Sequence, residues 1–195
     1  MSYSQKIAII ILNPKDDNTS HLSNWRPLSL TTCDYKVFTK IIANRLKGVM
    51  PSIISPEQFC CPDKSIVDCN TMVRDIVTYC NSEDLPGAVI NLDWSKAFDR
   101  VDIDFLIRVM LKLGFNQMFI NWVKLLYTDI QSKVMINGIL TETFSVRRGI
   151  RQGCPLSMLL YVIFQEALYM AFKNSDVIKC IDFPKPRKAD CFRVC

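Results

Sequence analysis

The run Ala88-Val89-Ile90-Asn91-Leu92-Asp93 constrains this chain more than any other stretch. Apolar residues fall on both alternating sides, as in a strand covered on both faces, and a carboxylate stands at the exit. The turn signal Asp84-Leu85-Pro86-Gly87 precedes it, and Trp94-Ser95-Lys96-Ala97-Phe98-Asp99-Arg100-Val101-Asp102 follows. An Asp so placed has two readings. It caps the next turn, the commoner case, or it holds a hard divalent cation, which takes oxygen ligands, for phosphoryl transfer.

The remaining pattern predicts helices packed on a small, mainly antiparallel sheet, an α+β fold. Ile7 to Leu12 reads as a buried strand ending at Asn13-Pro14, and Trp25 to Leu30 as extended chain around Pro27. Asp34 offers an N-cap to a helix with Phe38, Ile41, Ile42, Arg45, Leu46 and Val49 on one stripe. After a connector from Pro51 to Pro62, Ser65 and Asp68 form a capping box before Ile66, Cys69, Val73, Ile76 and Cys80. A helix from Asp102 to Leu113 closes at Gly114, and Asn116 caps another reaching Tyr127. Asn137-Gly138 marks a tight hairpin within Lys133 to Leu140. Arg147 to Gly153 is a basic loop, Pro155 sits where a helix starts, and Met158 to Phe172 reads as a core helix.

With 195 residues, 49% of them hydrophobic, the chain suits one ordinary domain or two small subdomains sharing a core. A net charge of +5 fits a phosphate-rich partner and equally a solvated surface. Nine cysteines, odd in number and scattered, indicate a reduced, intracellular protein of the cytoplasm or nucleus. Cys180, Cys191 and Cys195 include no CxxC pair and the single histidine is the distant His21, so no zinc is expected. Ile7 to Leu12 is too short for a signal core, and Met158 to Phe172 is shorter than a membrane span and carries Gln165 and Glu166. No membrane partner is expected.

A second block, Arg148-Gly149-Ile150-Arg151-Gln152-Gly153-Cys154-Pro155-Leu156-Ser157, joins a basic glycine-containing turn to a helix start. Gln152 both donates and accepts, Gly153 permits close backbone approach, and the helix N-terminus favours an anion. With the Asp93 block it resembles motifs B and A of reverse transcriptases of the LINE (non-LTR retrotransposon) type, in that family's order. The motif Asp-x-x-Lys-Ala-Phe-Asp is matched at Asp93, Lys96, Ala97, Phe98 and Asp99. Upstream, Pro14-Lys15 and Arg26-Pro27-Leu28-Ser29-Leu30 match the family's fingers blocks, and Gln58 to Ile66 resembles its template-contacting segment.

The resemblance implies a right-hand polymerase, with residues 1–86 as a fingers-like region and 87–195 as a partial palm. It makes Asp93 the catalytic metal ligand, for Mg²⁺ or Mn²⁺ in the complete enzyme. It assigns Lys15, Arg26, Phe98, Gln152 and Gly153 to the incoming deoxynucleoside triphosphate, and Lys64, Arg147, Arg148 and Arg151 to the template. Phe98 would exclude a 2′-hydroxyl, while an ordinary core aromatic remains its alternative. Asp99 and Asp102 are read as structural, capping or pairing with Lys96 or Arg100. Met158 stands where the family has proline, and the template segment is one residue short with Asp63-Lys64 for Gly-Arg.

The family's aromatic-Ala-Asp-Asp turn, motif C, is expected after Glu166 and has no match before Cys195. Phe192 to Cys195 reads as the strand leading to it, or Ala189-Asp190-Cys191 as its remnant. The chain is thus read as a fragment of an RNA-directed DNA polymerase, inactive alone, whose partners are RNA template, DNA primer and deoxynucleoside triphosphates. The alternative is a non-catalytic nucleic-acid-binding or decaying retroelement remnant. Another carboxylate-and-metal phosphotransferase leaves the Arg151-to-Ser157 block unexplained.

Overall fold

The central strand of the sheet is not the apolar run at 88–93 but the one at the start of the chain. A computed structural model describes residues 1–15, 17–56, 58 and 64–178, with the backbone of two short strands at 181–183 and 192–194. A four-residue helix α1 (Tyr3–Lys6) leads into β1 (Ile7–Pro14). A 3-10 turn precedes β2 (Trp25–Leu30), which returns antiparallel to β1 with Ile10 opposite Ser29 and Leu12 opposite Pro27. The other edge of β1 is taken in parallel by β3 (Gln131–Ile136), Ile7 opposite Gln131. β3 also carries β4 (Ile139–Leu140) and β5 (Phe144–Ser145), both antiparallel. The sheet is therefore mixed, with order β2-β1-β3-β4 and β5 also on β3. β6 (Ile181–Phe183) and β7 (Phe192–Val194) form a separate antiparallel pair.

The expected strand at 88–93 does not form: the segment 85–94 is irregular and exposed. A strand exists by exchanging backbone hydrogen bonds with a neighbour, and no described strand lies beside this segment. Val89, Ile90 and Leu92 are 70%, 78% and 58% exposed, so the apolar pattern has no cover to meet.

Local signals placed the helices better. Thr32, not the expected Asp34, holds the N-cap position of α2 (Cys33–Ile53), without a side-chain capping bond; Asp34 lies in the first turn, and the helix runs through Pro51 with Met50 and Ile54 buried in the core on either side. Its buried face is Tyr35, Thr39, Ile42, Ala43, Leu46 and Met50, turned by about one residue from the expected stripe. Phe38, Ile41 and Val49 stay largely exposed, and the Arg45 guanidinium lies over the Trp122 ring, 5.8 Å from its centre. α3 (Ile66–Ser82) begins at the expected capping box, Ser65 Oγ accepting from Val67 N and Asp68 accepting from Ser65 N, yet buries only Ile76.

α4 (Ile103–Lys112) follows its cap Asp102, and Gly114, at φ +81°, ends the turn that closes it. α5 (Gln117–Tyr127) follows its cap Asn116. Asn137 and Gly138, at φ +51° and +78°, make the expected hairpin turn. α6 (Ser157–Lys173) packs against α2 and α4. Leu106, Met110, Ile120, Leu126, Leu156, Leu160 and Ile163 are sealed from water in one core, which draws residues from both sides of position 86. Each such side chain contributes about 1.5 to 3 kcal/mol on burial.

Candidate functional site

The Asp93 block folds as a turn rather than as a strand exit. Residues 95–100 wind tightly, with Lys96 in the left-handed region at φ +54° and its carbonyl accepting from Asp99 N (3.0 Å) and Arg100 N (3.2 Å). Asp102 fastens the end of the turn: its Oδ1 accepts from Phe105 N at 2.9 Å and its Oδ2 lies 3.9 Å from Arg148 Nε. Capping and pairing were expected of Asp102, though with other partners. The Phe98 ring stacks on Tyr161 of α6, centres 5.1 Å apart and planes 19° from parallel. It is half-buried against the core.

The Arg148 block is laced onto that turn backbone to backbone. Gly149 N donates to Val101 O at 2.8 Å and Ile150 N to Phe98 O at 2.9 Å, while Gln152 O accepts from Ser29 N of β2 at 2.9 Å. Such closeness requires glycine. Gly149 sits at φ +93°, and a Cβ there would lie 2.9 Å from the Asp99 carbonyl oxygen. Gly153, at φ +94°, brings its Cα side to the Ser29 carbonyl.

Three segments far apart in sequence thus meet around a cavity of about 230 Å³, lined among others by Pro27, Ser29, Asp99, Arg148 and Gln152. Inside it Gln152 Nε2 donates to Asp99 Oδ1 at 3.4 Å. Asp99, read as purely structural, therefore faces the same space as Gln152. The lacing residues Ser29, Gly149 and Ile150 were not singled out from sequence. Two glycines in one basic turn were the available signal.

Other expected site residues fall elsewhere. Asp93 is exposed within the irregular 85–94 segment and, like Phe98, does not line the cavity. Pro27 and Ser29 face the cavity, so Arg26 belongs to the opposite side of β2 by strand alternation. Lys15 lies at the same end of the hairpin and donates through Nζ to Ser23 O at 2.7 Å. Lys64 donates to the carbonyls of Pro56 and, at 3.0 Å, Gln58. Arg147 and Arg148 are exposed. Lys133, next in line on β3 after cavity-lining Ser132, points to the other side.

Arg151 departs from its expected template role, because its side chain is turned inward and only 5% exposed. Its guanidinium donates to the carbonyls of Lys6 and, at 3.4 Å, Gln5, and lies over the Tyr35 ring, 5.0 Å from its centre. Its own carbonyl accepts from Ser157 Oγ at 2.7 Å. Arg151 therefore ties the second block to the end of α1. Burial pushes the phenols of Tyr35 and Tyr127 beside it far above the ordinary tyrosine value.

A divalent cation of the Mg²⁺ class wants near-octahedral oxygen coordination. Among the described residues no three of His, Cys, Asp and Glu come together to hold a metal ion. The segment Phe59 to Asp63, and Cys180, Cys191, Cys195 and Ala189-Asp190, lie outside the described residues. No helix among the described residues is long and apolar enough to cross a membrane.

Comparison with known proteins decides the family. The profile described as reverse transcriptase (RNA-dependent DNA polymerase) matches residues 13–182, which holds both laced blocks and β2. The chain belongs to the reverse transcriptase family. It is 39% identical over 155 residues, 79% of its length, to the transposon TX1 uncharacterized 149 kDa protein of Xenopus laevis. It is 29% identical over 168 residues to a retrovirus-related Pol polyprotein from type-1 retrotransposable element R2 of Popillia japonica, covering 84% of the chain. A probable RNA-directed DNA polymerase from transposon BS of Drosophila melanogaster is 27% identical over 161 residues, 80% of the chain. The chain spans only 12%, 23% and 18% of those proteins' own lengths. This reverse transcriptase domain is thus related to non-LTR retrotransposon polymerases. Reverse transcriptases in general bind nucleic-acid templates and deoxynucleoside triphosphates, and the complete enzymes use a divalent metal.

Proposed function

We propose that the chain is the fingers and front-palm portion of a LINE-type RNA-directed DNA polymerase, and that alone it binds nucleic acid without extending a primer. The observation carrying this reading is the lacing of the Phe98–Val101 turn, the Gly149–Gln152 turn and Ser29 around one cavity. In this reading Gln152 and Gly153 serve the incoming nucleotide, supported by the lacing of their turn and by the Phe98 ring stacked on Tyr161. Arg147 and Arg148, both exposed on this turn, meet the template phosphates. Asp93 is the metal ligand of the assembled enzyme, but in this chain it stands outside the cavity lining, and no cluster of three metal-ligating side chains forms among the described residues. No catalytic step is therefore assigned to the isolated chain. The fingers-like portion is 1–86 and the palm portion 87–195.

Binding of a labelled RNA–DNA hybrid across a salt series tests the reading. Neutralising phosphates releases counterions, so removing two contacting arginines flattens the slope of log K against log salt by up to roughly 1.8. The double variant Arg147→Ala/Arg148→Ala is expected to bind more weakly and with that shallower slope. Identical affinity and slope in the two proteins would remove the template role from this loop. Primer extension by the repurified chain that disappears in Asp93→Ala would overturn the assignment of binding alone.

A further inference from the structure

Glu166 is the only buried carboxylate among the described residues, 2% exposed in the middle of α6. Its neighbours along the helix, Leu159, Leu160, Val162 and Ile163, are apolar and buried. Burying a carboxylate there is unfavourable unless hydrogen bonds replace its water. The donors come from the connection between α2 and α3. Oε1 accepts from Ser55 N at 3.1 Å and from Ser55 Oγ, and Oε2 accepts from Gln58 Nε2 at 3.2 Å. The same stretch supplies the Pro56 and Gln58 carbonyls that receive the Lys64 ammonium.

One buried anion thus holds a short piece of backbone whose carbonyls in turn hold a cation. An apolar residue at position 166 would suit the core equally well but would leave Ser55 N and Gln58 without a fixed partner. Plain packing does not account for the carboxylate; orientation of the connection does.

We propose that Glu166 is a positioning residue, which pins the α2–α3 connection through Ser55 and Gln58 and so sets where Lys64 meets nucleic acid. The nucleic-acid half of this inference rests on the binding function proposed above, while the pinning itself does not. Glu166 touches no substrate and acts only through the residues it holds.

Amide hydrogen exchange on the full chain reads the pinning, and a mutant cycle in hybrid binding reads its consequence. Hydrogen bonds to a charged group are strong enough that Glu166→Leu should speed exchange at Ser55 and Gln58 by about tenfold or more, with α4 and α5 unchanged. Glu166→Gln should restore slow exchange, because its oxygen still accepts from Ser55 and the Gln58 amide turns to accept from its nitrogen. If Glu166→Leu does not fold, Ser55→Ala and Gln58→Ala remove the donors singly and should each speed exchange in the same place. In binding, Lys64→Ala should weaken the parent but add nothing to Glu166→Leu, or to Gln58→Ala if that is the variant in hand. Unchanged exchange in these variants, or no rescue by glutamine, overturns the pinning. Speeded exchange with fully additive binding losses overturns the link to Lys64. A parent that binds no hybrid overturns the binding function and the Lys64 half together, and leaves the exchange result to decide the pinning.

Discussion

Residues 66–94 and residues 101–163 are both rich in Val, Ile and Leu, and they are treated in opposite ways. In the later stretch Leu106, Met110, Ile120, Val123, Leu126, Leu160 and Ile163 are sealed between three helices. In the earlier one only Ile76 is buried, while Ile66, Val67, Val89 and Ile90 are each at least 64% exposed. Apolar patterning records that a segment needs cover, not that cover is present. The same line divides the site. The Gly149–Gln152 turn is built on the packed side, and Asp93, proposed above as the metal ligand, stands on the uncovered side.

The contrast is sharpest at its buried end. Leu160→Ala should cost about 2 to 5 kcal/mol, since it removes a sealed side chain that neighbours cannot fully replace. Urea unfolding measures this, and a loss below about 1 kcal/mol would mean the helical block is not packed as described. Gly149→Ala is expected to cost less, about 1 to 3 kcal/mol, from left-handed backbone strain and the approach to the Asp99 carbonyl. The same variant should weaken hybrid binding, because the turn must shift away from the Phe98–Val101 turn. Retained stability would break the claim that the two turns are in contact. Ile90→Ser should change stability by less than about 0.5 kcal/mol, as for any exposed position. A loss as large as that of Leu160→Ala would show that residues 85–94 are covered in solution and would erase the contrast.

Features set by neighbouring residues were legible in the sequence. Ser65 with Asp68, Asp102, Gly114, Asn116 and the Asn137-Gly138 turn all signal through residues within a few positions, and each stands where it was expected. Features set by distant partners were not. Nothing in Ile7 to Leu12 says that its second neighbour is Gln131 to Val134, in parallel. Nothing in Ala88 to Asp93 says that its edges go unmatched by any described strand. Arg151 shows the same limit at the site. Its charge suggested a surface contact, whereas its destination depends on carbonyls at Gln5 and Lys6 and a ring at Tyr35, all more than a hundred residues away. Gln152 and Gly153 were legible as members of a turn, but the partner of Gln152, Asp99, emerged only from the fold.

The parallel pairing of β1 with β3 also sets a clock on synthesis. Ile7 meets Gln131, which leaves the ribosome more than a hundred residues later. At about 5 to 20 residues per second, the β1–β2 hairpin waits roughly 5 to 25 seconds with the inner edge of an apolar strand open. An open edge of this kind recruits any strand that passes, including the same hairpin on a neighbouring nascent chain. Translation on crowded polysomes is therefore the stage at which this protein is most exposed to aggregation, and slowing it between the two strands lengthens that exposure in proportion.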